Sequence, residues 1–570
     1  MNDSKNLILA VALSALVLLG WTWAANRYFP TANPPSTKIE NGKQQQPLPA
    51  QPQAQPSAPS TPKALQSVAA ALAATPRVRI DTPSLSGSIN LKGAQIDDLL
   101  LVTQKQTIAK DPPPVRLLSP LGSPGAYIAQ FGWTAPGGAA PDLNTVWSAD
   151  SNVLTPGHPV TLTTQTPDGL RFAIKVSVDD GYLFTVQQAA ANGSGTPVQL
   201  RPIGLVSRAG KSTDVSTWTN HVGPISVFGG KADYGVNWKD LDEKGNQAFG
   251  RVAGWLGFTD KYWLTALVPP GSVTADFRNS ASGGYQADYS ATPLNVAPGQ
   301  TVTTQARLFA GAKQYELLKK YEAGGIDGLT RAIDWGYFRW FMLVIYDVLV
   351  FLFEHIGNFG VAIICLTLIV RAIMFPIAHK QFQSMAAMRK VQPKLKALQE
   401  KYKDDKARQQ QETLKLYQAE KINPAAGCLP ILLQIPVFYA LYKTLLVSVE
   451  MRHQPFVGWI KDLSAPDPLT PVNLFGLLHF APPSYLAIGI LPILVGATQW
   501  LSMKLNPQPM DPAQAQVFAI MPWFLVFIMA PFAAGLQLYW ITNNLLTLAQ
   551  QSWLYRKYGL HLSDTHPVRT

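Results

Sequence analysis

Cysteine is scarce in this chain of 570 residues, with only Cys365 and Cys428. Both lie in or beside long apolar runs, so no disulfide framework can hold a soluble domain together. Any exported part of the chain must therefore be stabilised by its own hydrophobic core.

Acidic residues are absent from every apolar run after Asn358, and all eight histidines lie outside the predicted membrane spans. Ion-coupled solute transporters usually need Asp or Glu within the membrane, and a membrane protease needs a catalytic pair there. Both classes are therefore disfavoured. His158 and His221 have no metal-ligand spacing around them, so we expect no metal ion and no other cofactor.

Apolar residues make up 47% of the chain and are concentrated in long runs, which indicates a polytopic α-helical membrane protein with one soluble domain. The formal net charge of +12 is uneven, because residues 77–320 hold 21 basic and 18 acidic residues whereas residues 378–423 hold 11 and 5. The positive-inside rule places the second segment in the cytoplasm.

A single charge, Arg371, interrupts the apolar run at residues 363–376. Insertion scales put a guanidinium at this depth at a cost of about 2.5 to 3.5 kcal/mol. Snorkelling to the headgroups is one explanation, but a helix ending near Ala378 leaves the residue about 10 Å inside, which snorkelling only just covers. Because the apolar runs hold no carboxylate, we expect any partner within the membrane to come from outside the chain.

The first 76 residues are predicted to form a membrane anchor followed by a disordered tether. Residues 7–25 are apolar and close with Trp21 and Trp23, so we favour an uncleaved membrane anchor over a cleaved signal peptide. Ten prolines between residues 30 and 76, with glutamine and alanine between them, predict an extended disordered segment.

Short alternating runs separated by turn residues fill residues 77 to about 310 and predict a β-sandwich. Its tryptophans could line a sugar-binding cleft, as in a sugar sensor, although core positions are the commoner use of such residues. The pattern turns helical from residue 313 to 333. Residues 335–354 then form either a membrane span or a helix lying in the interface, and Arg339 and Asp347 favour the interface, which puts the β-domain outside.

Residues 379–423 read as a basic helical hairpin. Apolar residues recur at helical spacing up to Tyr402, Asp404 and Asp405 fit the start of a second helix, and Pro393 should bend the first helix. The basic face is either solvated or a docking surface for lipid headgroups, RNA or a nascent chain.

Four further apolar runs complete six predicted spans, with both chain ends in the cytoplasm. Several spans carry uncharged polar residues, which together suggest a wet cavity. These residues are Thr367, Gln434, Gln499, Gln537, Tyr539, Thr542, Asn543 and Asn544.

Four segments carry a resemblance to a known family: TLIVRAIMFP, MRKVQPKLKALQEKY, NPAAGCLPILLQIPVFYALYKTL and GLQLYWITNNLLTLAQQ. They resemble the Gram-negative members of the YidC/Oxa/Alb family of membrane insertases. The similarity is strongest from about residue 333 to 556.

The resemblance implies an insertase and chaperone, not an enzyme, that moves nascent proteins into the bacterial inner membrane. Five core helices would enclose a hydrophilic groove, in which Arg371 matches the family's arginine and Thr367 the polar residue one turn before it. Gln434 and Tyr539 match groove-facing positions, with Trp540 and Asn543 as further candidates. On the hairpin, the docking candidates are Arg389, Lys390, Lys394, Lys396 and Lys401.

The resemblance also sets the predicted organisation. The segments are an anchor (1–26), a tether (27–76), a periplasmic β-supersandwich (77–320), a linker with an interfacial helix (321–357), a second span (358–378), the cytoplasmic hairpin (379–423), a third span (424–449), a periplasmic loop (450–484), a fourth span (485–504), a cytoplasmic loop (505–513), a fifth span (514–532), a sixth span (533–555) and a short cytoplasmic tail (556–570).

The partners that the resemblance implies are nascent membrane proteins, the Sec translocase with its SecD and SecF subunits, the ribosome, the receptor of the signal recognition particle, and membrane lipids, with no specific nucleic acid. The tail after Arg556 is short and nearly uncharged, which argues against tail-mediated ribosome binding. The alternative is a polytopic solute transporter with a periplasmic ligand-binding domain.

Overall fold

The computed structural model describes residues 65–214, 220–279, 284–403, 405–420, 429–478, 480, 482–483, 487–505 and 512–557. The predicted anchor and most of the predicted tether lie outside these residues. The chain divides into two compact units at the junction of Asp334 and Trp335.

The first unit is built around two sheets, which contain eleven and nine strands within the described residues. The larger sheet has the order β14 (Gln247–Val252), β17 (Val273–Asn279), β18 (Tyr285–Ser290), β11 (Val198–Arg208), β5 (Tyr127–Thr134), β3 (Gln95–Lys105), β2 (Leu85–Asn90), β1 (Arg77–Asp81) and β7 (Val153–Leu154), with β19 (Leu294–Val296) on β11 and β4 (Pro114–Leu118) on β3. The smaller sheet has the order β13 (Lys231–Asp233), β12 (Gly223–Phe228), β15 (Gly254–Thr259), β16 (Trp263–Val268), β20 (Thr301–Ala312), β10 (Leu183–Asn192), β9 (Leu170–Val178), β8 (Val160–Gln165) and β6 (Ser148–Ala149).

Buried and exposed side chains alternate along the strands, and the buried ones form the core between the two sheets. In β9, every second residue from Leu170 to Val178 is buried, which is the period of two expected of a strand with one solvated face. Across the sandwich, the Phe258 and Phe277 rings lie 6.1 Å apart, and Gln188 donates a hydrogen bond to the Gly132 carbonyl at 2.6 Å. The predicted β-sandwich is therefore confirmed for residues 77–312.

Two acidic residues oppose each other in the register of β17 and β18. Asp276 pairs with Asp288, and Arg278 lies between the two carboxylates, at 2.9 Å from Asp276 and 2.7 Å from Asp288. Like charges directly opposite each other destabilise a sheet. Burial, followed by the charge of Asp276, raises the pKa of Asp288 to about 6.

The β-rich unit extends beyond its predicted boundaries at both ends. A short helix, α1 (Val68–Ala73), occupies part of the predicted tether, because an alanine-rich stretch free of proline follows the N-cap Ser67. The unit also holds α2 (Trp238–Lys244) and α3 (Tyr315–Ala323). The hydroxyl of Tyr321 on α3 donates to Asp179 at 2.6 Å, so this region packs on the sandwich and the compact unit ends at Asp334 instead of residue 320.

The second unit contains seven helices within the described residues. They are α4 (Arg339–Ile356), α5 (Phe359–Lys401), α6 (Lys406–Ala419), α7 (Leu429–Val447), α8 (Ile490–Leu505), α9 (Pro512–Met529) and α10 (Ala534–Lys557). In this part of the chain, residues 359–380 are long and apolar enough to cross a membrane, and residues 433–447 and 518–529 form shorter apolar helices.

α4 is buried on one side and exposed on the other. Met342, Ile345 and Leu349 are buried in contact with neighbouring helices, whereas the side chains of Trp340 and Phe351 are exposed. α4 contacts both α5 and α7.

The expected helix end near Ala378 is wrong, although the apolar part of the helix ends at residue 380, close to the predicted end of the span at residue 378. α5 runs without interruption from Phe359 to Lys401, with Pro376 and Pro393 inside it. Each proline removes one backbone hydrogen bond, yet the residues around them include Lys, Ala, Met and Gln, which favour helix, so the helix continues. The second hairpin helix starts where predicted, since the Asp405 carboxylate accepts the Arg408 amide at 3.0 Å.

Candidate functional site

The guanidinium of Arg371 is held by two residues of α10. Its Nε donates to the Asn543 side-chain oxygen at 2.7 Å, and one terminal nitrogen donates to the Asn543 carbonyl at 3.2 Å and to the Thr547 hydroxyl. We call Asn543 and Thr547 the α10 clamp. The clamp shows that hydrogen-bond partners for Arg371 lie within the chain, whereas the expectation that a charged partner comes from outside the chain stays a prediction.

The clamp leaves the charge of Arg371 uncompensated. Its acceptors within the described residues are an amide oxygen, a carbonyl and a hydroxyl, all of them neutral. These three bonds use three of the five guanidinium N–H donors, and the two that remain are on the other terminal nitrogen. Arg371 is half-buried, so part of the residue is accessible to a ligand that enters the site.

Helical spacing on α10 explains how the clamp is built. Tyr539, Asn543 and Thr547 are four residues apart, which places them on one face of the helix. The Thr547 hydroxyl donates to the Asn543 carbonyl at 2.7 Å while it accepts from Arg371. The hydroxyl is thereby fixed in orientation with its lone pairs toward the guanidinium.

The same face of α10 meets a second predicted residue. Gln434 on α7 donates to the hydroxyl of Tyr539, which is 2% exposed. The predicted residues Arg371, Gln434, Tyr539 and Asn543 are therefore brought together in two direct contacts along one face of α10. This row of polar groups links α5, α7 and α10, and we call it the first polar seam.

Trp540 lies on a different face of α10 and makes a second seam. Its indole donates to Gln499 of α8 at 3.2 Å, and one turn further Asn544 donates to Thr498 at 3.1 Å. The Trp540 ring also packs edge-on against Phe438, with centroids 5.0 Å apart. Trp540 thus orients α8 against α10, and its hydrogen bond goes to a residue outside the first polar seam.

Thr367 is placed differently from the expectation. It is 1% exposed, and its hydroxyl donates to the Ile363 carbonyl one turn earlier in its own helix at 2.7 Å. The i,i+4 spacing puts Thr367 on the Arg371 side of α5, but its hydroxyl satisfies the backbone.

Two of the predicted hairpin lysines contact other described residues. Lys394 bridges the two hairpin helices through Glu420 at 2.7 Å, and Lys401 lies 5.4 Å from the centre of the Tyr402 ring. Lys396 is exposed. The side chains of Arg389 and Lys390 lie outside the part of the chain that the structure describes.

Sequence reasoning missed Thr547 and Thr498. Both could have been found by extending the polar periodicity, because Thr547 is four residues after Asn543 and Thr498 precedes Gln499. Neither residue was distinguishable by type, since threonine in a membrane helix usually bonds its own backbone.

The chemistry available at the site is electrostatic. No group of three or more His, Cys, Asp and Glu side chains is placed to hold a metal among the described residues. The site offers a fixed cation, several amide and hydroxyl groups, and half-buried surroundings in which a Coulomb attraction is stronger than in water.

Comparison with known families covers nearly the whole chain. The family described as 60Kd inner membrane protein matches residues 351–560, and the YidC periplasmic domain family matches residues 77–348.

Relatives of known function extend over the full length. The membrane protein insertase YidC of Zymomonas mobilis is 45% identical over 565 residues, covering 98% of this chain and 96% of the relative. The protein of the same name in Beijerinckia indica is 43% identical, covering 98% and 97%. A crystal structure of an active YidC insertase with its first transmembrane domain resolved is 21% identical, with a TM-score of 0.35, and covers 85% of this chain and 93% of that chain. This chain therefore belongs to the YidC family of membrane protein insertases.

Proposed function

We propose that this protein inserts nascent membrane proteins into the bacterial inner membrane and assists their folding, alone and together with the Sec translocase. The observation that carries the mechanism is the charge of Arg371, whose acceptors in the described part of the chain are the neutral groups of the α10 clamp. A fixed cation without a counter-charge attracts the acidic residues of a client's extracytoplasmic tail.

The strength of this attraction decides whether it can matter. Two unit charges 4 Å apart in surroundings with an effective dielectric constant of 20 attract by about 4 kcal/mol, less the desolvation that binding requires. An attraction of this order is sufficient to hold a tail transiently without trapping it. The clamp thus supports capture and release.

The clamp also limits how a carboxylate can bind. Since both N–H groups of one terminal nitrogen are engaged with Asn543 and Thr547, a client carboxylate meets the other terminal nitrogen. A fork-like contact to both terminal nitrogens would have to displace a clamp bond. The client therefore uses Arg371 mainly as a point charge, which predicts that lysine substitutes well at this position.

The polar groups of the first seam support a hydrated path for the tail. Gln434 of α7 is half-buried and bonds Tyr539 on the face of α10 that carries the clamp, so Gln434 and Arg371 offer polar groups to water or a polar tail on this side of α10. A hydrated groove shortens the apolar barrier. The apolar helix of the client then leaves into lipid, driven by burial at about 25 cal/mol per Å². No covalent step is needed.

The hairpin serves as the cytoplasmic docking element in this proposal. Lys396 and Lys401 extend from α5 beyond its apolar part, where a basic surface suits a nascent chain, the ribosome, the receptor of the signal recognition particle or anionic lipid. The β-domain lies in the periplasm, where it contacts accessory subunits of the Sec translocase. Both chain ends lie in the cytoplasm, and six helices span the membrane.

The experiment is depletion of the protein in its host, followed by protease mapping of newly made small membrane proteins. Loss of the protected fragments of these proteins, with unchanged uptake of solutes, is expected. An unchanged protease pattern with loss of uptake of one solute would contradict the proposal and favour the transporter.

A further inference from the structure

The connection between α7 and α8 contains a loop that is closed at its base. The Ile490 amide donates to the Leu469 carbonyl at 3.0 Å, and the Leu491 amide donates to the Asp467 carboxylate at 2.7 Å. The segment before the loop and the segment after it therefore meet at the first residues of α8. We call the described residues 471–478 and 480 the apolar loop.

The apolar loop exposes large apolar side chains in an unusual concentration. They are Val472 at 43% exposure, Leu474 at 52%, Phe475 at 51%, Leu477 at 75%, Leu478 at 46% and Phe480 at 48%. The sequence has no Asp, Glu, Lys or Arg between Asp467 and Lys504. An uncharged apolar patch of this size is uncommon on a surface that meets only water.

Several backbone amides of the apolar loop donate to groups within the loop or just before it. The Phe475 amide donates to Thr470, the Leu477 amide to Leu474 and the Leu478 amide to Asn473, at 3.0 to 3.2 Å. The Thr470 hydroxyl accepts the Val472 amide at 3.3 Å. Irregular backbone that meets lipid is costly when its polar groups lack partners. These bonds reduce the cost of placing the loop in lipid. A loop in water would not need them, because water would bind the same backbone groups.

Two residues at the tip adopt a conformation that side chains rarely take. Leu474 has φ of +50° and Phe475 has φ of +60°, and neither is glycine. Strained backbone persists where the surroundings repay it. In this loop the strained backbone places the side chains of Leu474 and Phe475 on the outside together, which would not be favourable if they met only water.

We propose that the apolar loop inserts into the outer leaflet of the phospholipid bilayer beside the first turn of α8. The partner is the lipid surface itself, at the depth of the headgroup and upper acyl region. The loop thereby anchors the extracytoplasmic end of α8, whose exposed residues include Ile493 and Leu494.

The test places an environment-sensitive fluorophore on the loop of the full chain. Cys365 and Cys428 are replaced by serine, and Leu477→Cys is labelled with a nitrobenzoxadiazole group. The protein is reconstituted in phosphatidylethanolamine and phosphatidylglycerol vesicles that contain nitroxide-labelled lipids. Leu121→Cys, at a position of the β-domain that is 50% exposed, is the matched control.

Blue-shifted emission at position 477 is expected, quenched more strongly by nitroxides near the headgroup than by those near the chain end, with little quenching at position 121. Equal weak quenching at both positions would overturn the proposal. A blue shift without nitroxide quenching would overturn the proposal: it would assign the loop to a second copy of the chain if it disappears at a lower ratio of protein to lipid, and to the client if it requires an added client.

Discussion

The contact between Arg371 and the α10 clamp leads to a quantitative prediction about stability. A double-mutant cycle combines Arg371→Met with Asn543→Leu, each of which removes one side of the bond between Nε and the amide oxygen, 2.7 Å long. Hydrogen bonds to charged groups contribute about 1.5 to 3 kcal/mol. We expect the two substitutions to be non-additive in the free energy of unfolding by an amount in this range.

Reversible unfolding of the purified protein in mixed micelles, with rising mole fraction of a denaturing detergent, measures the cycle. Thr498→Leu is the control partner, because Thr498 bonds Asn544 and shares no hydrogen-bond partner with Arg371. Substitutions without shared partners add to within about 0.5 kcal/mol. Equal coupling of Arg371 to positions 543 and 498 would refute the clamp.

Three other predictions concern the remaining parts of the chain. Deleting residues 385–415 should leave the packing of the membrane helices intact but abolish client insertion, whereas wild-type insertion by a stably expressed deletion would reduce the hairpin to a linker. Removing residues 77–310 should spare insertion of clients that do not use Sec, because neither of the two described polar seams includes the β-domain. If protease mapping shows that insertion of every client is lost, the domain is part of the insertion path. The pKa of Asp288 is raised in the folded protein from 3.8 to about 6. Protonated Asp288 therefore stabilises the native sheet fully below pH 3.8, and this stabilisation is lost as the pH rises through about 6. Asp288→Asn should therefore flatten the decline in hydrogen-exchange protection of β17 and β18 over this window, after correction for intrinsic exchange rates, and an unchanged decline would contradict the assignment.

Local patterns were sufficient to predict much of the fold. The alternation in β9 needs only the pleat of a strand with one buried face, and the start of α6 needs only a carboxylate that caps free amide groups. The lone charge of Arg371 stood out for the same reason, because its cost in lipid is a property of the residue and its immediate sequence.

The arrangement of the site depends on contacts between distant parts of the chain. Asn543 lies 172 residues after Arg371, and the local pattern of neither segment indicates that their helices touch, so only the family resemblance placed both residues in one groove. Thr367 illustrates the converse, because its spacing from Arg371 was correct but its hydroxyl bonds its own helix. The continuity of α5 could not be predicted from the change from apolar to basic residues near Ala378, because this change marks the predicted end of the span and not the end of a helix.

The measurement that tests the central claim most directly uses two clients that differ only in the acidic residues of their extracytoplasmic tail. Their insertion is followed by protease protection with the wild-type protein, Arg371→Ala and Arg371→Lys. Arg371→Ala should slow the acidic-tailed client most and the neutral-tailed client least, and Arg371→Lys should retain much of the activity because the client uses a point charge. Equal loss for both clients in Arg371→Ala would contradict charge pairing and leave Arg371 as a residue of packing or hydration.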